Sequence, residues 1–445
     1  MTKQLVLGAF EEFTPSFISN GWPHALSAPA DFASLAWWQG FARDLEAGGF
    51  DFLFFADALG YPMSTTPDGR SSIPDAVVRE AVQFPVHDPL SLVPALAASV
   101  DRLGFVVTAS TTSEHPYLLA RRFATLDHLT GGRIGWNIVT SDNQQALVKL
   151  LGLREVTPHD RRYDRADEFV DLALRLWEEG WDDDALVVDK ASRTFTDPAK
   201  VHRITHEGEF FRLDGLFPVT PSPQRTPTLF QAGASARGLD FAARLAEVVF
   251  IQERDLEKAA RTVRGIRDRA EARGRGRDDI TVVSSISVVT APTSSEAHEL
   301  RASLTAAPSH DAVAALFLGW SGLDLTGLDP GTPVDDLTTE VGQTTLATFQ
   351  GRGRTVGQVL DELAEGIGGT KVTGTPDEAV AEIERIVQTT DVDGFLIEHS
   401  FGGPASYRDF MAEVMPRLRR RGLLPDAPRG GLLRERLTGV PARRH

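Results

Sequence analysis

The chain has 445 residues, 42% of them apolar, with 46 Lys plus Arg against 62 Asp plus Glu, a net charge of −16 and no cysteine. The apolar fraction fits a folded core and excludes a disordered or collagen-like chain, and the missing thiols exclude disulfides, thiolate metal sites, iron–sulfur clusters and a cysteine nucleophile. The negative balance repels nucleic acid and anionic lipid, no stretch reaches ~18 uninterrupted apolar residues, and Met1 to Phe13 lacks a secretion signal's apolar run. A cytoplasmic protein without nucleic-acid or membrane partners is expected.

In chain order, short apolar runs alternate with segments of helical period. Strands are expected at Leu5 to Phe10, Phe52 to Ala56, Gly104 to Thr108, Ile134 to Val139, Thr228 to Gln231, Val248 to Ile251, Thr281 to Val288 and Gly394 to Ile397. Helices are expected at Leu35 to Ala47, Leu90 to Val100, His115 to Leu129, Tyr163 to Trp181, Ala236 to Ala246, Asp255 to Arg273, Pro376 to Val387 and Tyr407 to Arg420. Eight strands alternating with eight helices predict an α/β protein, a closed (β/α)8 TIM barrel rather than an open sheet. Two long segments exceed the repeat, near 182–227 and 294–374, and are expected as insertions at the carboxyl-end mouth. Residues 1–425 then form a single barrel. The Arg- and Gly-rich tail, 426–445, is expected to pack loosely or to reach a neighbouring subunit.

Several chemical motifs are missing. No Gly-x-Gly-x-x-Gly follows a strand, so no dinucleotide site reads out. Gly233 to Gly238 keeps the outer glycines of a phosphate loop, but Leu239 and Asp240 replace its Lys and Ser/Thr. The same stretch nearly forms a nucleophile elbow around Ser235, with Arg237 where the closing glycine belongs. The stretch does leave an apolar strand for an amphipathic helix, so backbone N–H groups near Ala234 and Ser235 converge where an anion is favoured. A plain N-cap is the other reading of Ser235.

Five blocks in order resemble one family: DHLTGGRIGWNIVTS from Asp127 to Ser141, HDRRYDRADEF from His159 to Phe169, WDDDAL from Trp181 to Leu186, FTDPAKVH from Phe195 to His202, and QAGASARG from Gln231 to Gly238. They resemble the flavin-dependent monooxygenases that include the nitrilotriacetate and dibenzothiophene-sulfone enzymes, within the bacterial-luciferase-like superfamily. The resemblance spans about residues 5 to 425. It implies a luciferase-like barrel holding reduced FMN (FMNH2), a separate NAD(P)H:flavin reductase, O2 as cosubstrate, a small organic substrate and a homo-oligomer, dimer or tetramer. The missing dinucleotide fingerprint agrees with reduction elsewhere, and long covering insertions suit chemistry that water would spoil. Two alternatives stay open: a deazaflavin- or FMN-dependent oxidoreductase of this fold that does not use O2, and a TIM-barrel hydrolase.

The resemblance carries over to named residues. Asp57 closes the second strand and is expected against the flavin ring, or else capping a helix. Thr108 ends the third strand where the backbone can approach the ring; an ordinary strand-end hydroxyl is the alternative. Period-two alternation turns Gly135, Asn137 and Val139 to one face of the fourth strand, so Asn137 faces the lumen, where the flavin's pyrimidine edge would satisfy it. His159 and Tyr163, spaced i, i+4, share one helix face and are expected at the ribityl chain or phosphate. Ala234 and Ser235 complete the cofactor set. Arg162 is a candidate charge for the phosphate, with a solvated helix face as the other reading. His24, His87, His115, His206 and His399 are candidates for the substrate side. No catalytic residue and no metal site is assigned, and Asp57 is the lone strand-end carboxylate placed.

Overall fold

Eight parallel strands close on themselves: β1 (Val6–Glu12), β2 (Phe52–Ala56), β3 (Gly104–Ser110), β4 (Ile134–Val139), β5 (Thr228–Gln231), β6 (Val248–Ile251), β7 (Thr281–Thr290) and β8 (Gly394–Glu398). Each pairs with the next, and β8 pairs with β1. The structure, a computed structural model, describes every residue except 1–3, 16–20, 29–30, 66–69, 141–143, 154–156, 234, 339–345, 347–348, 352, 367, 400–404 and 441–445. The outer layer is α1 (Leu35–Gly48), α2 (Pro89–Ala97), α3 (Pro116–Thr130), α4 (His159–Glu178), α5 (Ala236–Leu245), α6 (Leu256–Glu271), α7 (Pro376–Thr390) and α8 (405–420).

Local chemistry sets these boundaries. Ser34 caps α1 by accepting from the Trp37 N–H, and Gly49 ends it at φ 94°, a left-handed turn that favours glycine. Thr375 and Glu378 form a reciprocal cap on α7 ahead of Pro376. Several strands run one or two residues beyond the sequence reading: β1 takes in Glu11 and Glu12, β3 Ala109 and Ser110, β7 Val289 and Thr290, and β8 Glu398. Barrel strands carry polar residues at their carboxyl ends.

Alternation along each strand makes two cores. Leu7, Ala9, Leu53, Phe55, Val107 and Trp136 pack outward against the helices. Phe10, Phe54, Val106, Phe230, Phe250 and Leu396 fill the lumen. Phe10 lies 5.2 Å from Phe54 and 5.1 Å from Phe250 between ring centroids, in tilted contacts. A Cβ on Gly8 would come within 2.4 Å of the Phe52 ring and 2.5 Å of Leu396, so glycine is required there. Burying one such phenylalanine contributes about 1.5–3 kcal/mol. The lumen is a packed column, and the polar groups stand above it.

The 294–374 segment follows β7 and roofs the mouth. It contributes helices Ser294–Thr305, His310–Ser321 and Val356–Ala364, then strand Thr370–Gly374, which extends the sheet from β7. Val313, Phe317, Val359 and Leu363 of the roof share the lumen's apolar cluster. The 182–227 segment lies elsewhere. It leaves α4 and enters β5, so its ends sit at the amino-terminal end of the barrel, and its hairpin of Arg203–Glu207 with Arg212–Leu216 runs along α4, where Glu168 accepts from the Phe210 and Phe211 N–H groups. Length alone marked it as a mouth insertion; its position between a helix and the next strand places it on the outer wall.

The tail also departs from expectation. Helix Leu433–Thr438 tucks under the amino-terminal end of the barrel, with Leu433 buried and its N–H donated to the Gly132 carbonyl. Arg434 has no exposed surface and reaches Glu247, Gln224 and Thr226.

Candidate active site at the barrel mouth

β3 and β4 set Thr108 opposite Asn137, and the Asn137 Nδ2 donates to the Thr108 hydroxyl at 2.9 Å. Both side chains are buried, and Asn137 Oδ1 has no partner among the described residues. Trp136 turns the other way, its indole N–H held by the Ala109 carbonyl at 3.0 Å and its ring packed against Phe123, Phe169 and Trp177. That packing fixes β4's register, and with it the direction of Asn137. At the end of β5, Gln231 is buried and its Oε1 also lacks a partner. An unsatisfied buried acceptor costs ~1–3 kcal/mol, which leaves the Asn137 oxygen, on the lumen face, available to a donor, while Gln231 pairs in register with Ile138 of the helix-facing cluster. Gln231 was read only as a strand end, and its burial was the missing signal.

A second group forms where α4 and α5 begin. Tyr163 is buried against Phe241, ring centroids 5.6 Å apart, and its hydroxyl bonds with Ser235 and Thr140. Burial pushes the phenol above its ordinary range, so it stays protonated. His159 stacks one turn away, 5.1 Å from the Tyr163 ring, half exposed and paired with Asp160 at 2.9 Å. Ser235 caps α5 by accepting from the Gly238 N–H at 3.0 Å, and a Cβ on Gly238 would stand 2.7 Å from the Tyr163 hydroxyl. The hydroxyl therefore serves as a helix cap and also faces the tyrosine. Arg162 is buried rather than solvated and donates to the Thr140 carbonyl at 3.2 Å; Arg237 lies 5.5 Å over the Tyr163 ring and pairs with Asp167. Asp57 follows β2 and is half buried, and Ala234 lies outside the described residues.

The structure corrects the count of strand-end carboxylates. Glu11 and Glu12 end β1 and Glu398 ends β8, all buried. His399 Nδ1 is 3.0 Å from both Glu11 oxygens, and Lys371 Nζ donates to Glu398 at 3.1 Å beside Ser285, which also donates to Glu398. The signal was available: a glutamate directly after an apolar run in a barrel is a strand-end side chain, not a boundary.

A closed parallel barrel with under-bonded polar groups above its packed column, two helix starts beside them and a roof defines a (β/α)8 enzyme with its site at the carboxyl end. More particularly, the chain belongs to the luciferase-like monooxygenase family, whose model matches residues 16–394. It is 39% identical over 445 residues to the dimethyl-sulfide monooxygenase of Hyphomicrobium sulfonivorans, covering 99% of this chain and 91% of that one. It is 35% identical over 441 residues to the dibenzothiophene-sulfone monooxygenase of Rhodococcus erythropolis, covering 97% and 95%. The crystal structure of riboflavin lyase (RcaE) with modified FMN and riboflavin matches with a TM-score of 0.92 at 40% identity, covering 99% and 98%.

Proposed function

We propose that the chain is a two-component, FMN-dependent monooxygenase. It takes FMNH2 from a separate NAD(P)H:flavin reductase and, with O2, places one oxygen atom on a small organic substrate while the other leaves as water. Cleavage of a C–N or C–S bond follows where oxygen lands beside the heteroatom. The observation that carries this reading is the orphaned acceptor Asn137 Oδ1, buried at the mouth of a luciferase-like barrel. It fits the N–H-bearing edge of a flavin.

Bound reduced flavin supplies the two electrons that activate O2. The chain's own residues do the rest. Asn137, held by Thr108, orients the ring, with Asp57 beside it. Tyr163, His159, Ser235 and the N–H groups at Ala234 and the α5 start hold the ribityl chain and phosphate, with Arg162 and Arg237 supplying positive charge against the chain's negative field. The roof of 294–374 excludes water.

Among the described residues no helix is long and apolar enough to cross a membrane; a cytoplasmic location belongs to this proposal. So does a homo-oligomer, supported by exposed Leu186, Val187, Val188 and Phe195 on one hairpin and testable by light scattering. The reaction itself is tested with the pure chain, a flavin reductase, NADH, FMN and O2 over aromatic, amine and thio-compound panels. Tighter binding of reduced than oxidised FMN is expected, with no NADH oxidation by the chain alone. Rapid NADH consumption without reductase would refute the two-component assignment.

A further inference from the structure

The ring corner and the phosphate corner of the mouth hang on the same two strands. Thr108 pairs in register with Asn137, Ala109 with Ile138 and Ser110 with Val139. Past that last rung the exits of β3 and β4 stay fastened. The Val139 carbonyl accepts the Thr111 N–H at 3.0 Å, the Ser110 hydroxyl accepts the Thr112 N–H at 3.1 Å, and the Thr112 hydroxyl donates to the Thr140 carbonyl at 3.0 Å. Thr111 has no exposed surface, so this turn is packed into the mouth.

Thr140 passes the geometry on to α4. Its carbonyl also accepts from Arg162 Nη1 at 3.2 Å, and its side chain bonds with the Tyr163 hydroxyl, which also meets Ser235, the cap of α5. A carbonyl oxygen has two lone pairs; here one holds the threonine and the other the guanidinium. Three residues further along α4, Arg165 Nη2 donates to the Glu114 carbonyl at 3.3 Å, in the same connection that carries Thr112. The start of α4 is therefore bracketed from both strand exits.

We propose that Thr112 is a positioning residue for the flavin phosphate: by holding the Thr140 carbonyl it aims the Arg162 guanidinium and the Tyr163 hydroxyl, and so sets how strongly the chain prefers FMN to riboflavin. This rests on the monooxygenase reading, which puts the phosphate at the starts of α4 and α5. A guanidinium's planar fork serves a phosphate only in the orientation that its other bonds fix. Loss of the anchor therefore costs the charged ligand and spares the neutral one.

The test is anaerobic calorimetric titration of the full chain with photoreduced FMN and photoreduced riboflavin, in wild type, Thr112→Val and Thr112→Ser. Valine keeps the shape and removes the donor. FMN should weaken by about three- to tenfold and riboflavin by less than about twofold, whereas Thr112→Ser should bind both as wild type does. Turnover of Thr112→Val should recover at saturating reduced FMN. A double-mutant cycle checks that Thr112 acts through Arg162: once Arg162→Met has lowered the preference for FMN, adding Thr112→Val should lower it no further. Equal weakening of the two flavins, additive losses in the cycle, or a serine variant as poor as the valine one overturns the proposal. If either variant does not fold, Thr112→Ala or Arg162→Lys takes its place with the same expected outcomes. A wild-type chain that binds both flavins equally removes the phosphate from this corner and overturns the proposal, with the monooxygenase reading intact. A chain whose preference for FMN depends on Thr112, yet which forms no product with reductase, NADH and O2, sinks the monooxygenase reading and leaves Thr112 in its role.

Discussion

The two ends of the barrel hold similar numbers of buried polar side chains and use them in opposite ways. At the amino-terminal end, Arg434 donates to Glu247 at 2.6 Å and to the carbonyls of Gln224 and Thr226 at 3.1 and 2.6 Å, while Glu247 accepts from the Leu229 N–H at 3.0 Å. Asp51 there takes the Leu7 N–H at 2.9 Å and Arg429 at 3.0 Å, and Asp127 takes the backbone and side chain of Gln224 at 2.8 and 2.7 Å. Arg436, at Nε and Nη2, and Arg267, at Nε, are exceptions, those nitrogens lacking partners among the described residues. At the carboxyl end Asn137 Oδ1 and Gln231 Oε1 are without partners among the described residues. A polar group satisfied by the fold adds to stability, and one left unpaired at an open mouth is available to a ligand. The floor is structure; the mouth is function.

The sharpest way to break this contrast is Arg434→Ala. It strands Glu247 as an uncompensated buried charge and should cost ~3–5 kcal/mol of stability by denaturant titration, with FMN affinity of the folded fraction unchanged. A flavin-binding defect without destabilisation would erase the distinction between the ends. At the mouth, Ser235→Asp should do the reverse. Aspartate caps a helix as well as serine, so α5 persists, but its charge opposes the phosphate. FMN should weaken by more than about tenfold and riboflavin by less than about twofold; equal weakening would move the phosphate elsewhere.

How far each end was legible follows from the range of its interactions. Two local pairings at the mouth were readable, while its strand-end Glu11, Glu12 and Glu398 were missed. Period two turns Thr108 and Asn137 to one side of adjacent strands, and the i, i+4 spacing brings His159 to Tyr163. The floor was not, because Arg434 and Glu247 lie 187 residues apart and an arginine in a basic tail carries no mark of its burial. Arg162 stayed ambiguous for the same reason: beside Asp164 and Asp167 it reads equally as a solvated charge, and its acceptor, the Thr140 carbonyl, is 22 residues away. The barrel's closure was legible from the βα count, whereas the place of the 182–227 segment required asking which element it follows.

Asn137→Leu sharpens the comparison from the mouth. Leucine keeps the volume and removes the orphaned acceptor together with the bond to the Thr108 hydroxyl, so thermal stability should change by no more than about 1 kcal/mol while flavin affinity falls about tenfold, ~1.4 kcal/mol. Flavin titration and a melting curve on one preparation check both halves. A fall in stability with flavin affinity intact would make Asn137 a floor-like residue that happens to sit at the mouth.

Tyr163 should give the smallest effect because it belongs to both categories. Its hydroxyl is already shared with Ser235 and Thr140, so the protein supplies part of what a flavin would otherwise receive. Tyr163→Phe removes one net hydrogen bond, worth roughly 0.5–1.5 kcal/mol, divided between folding and binding. Flavin affinity should then drop about threefold or less, with a small loss of melting temperature, and turnover should recover at saturating flavin. His159→Ala, on the exposed side of the same face, should also recover, without the stability loss. Product and peroxide measured across a flavin titration separate this from a role in proton transfer. Turnover that stays low at saturating flavin, with FMN affinity unchanged and H2O2 rising, would remove both residues from cofactor binding and place them with the reacting atoms.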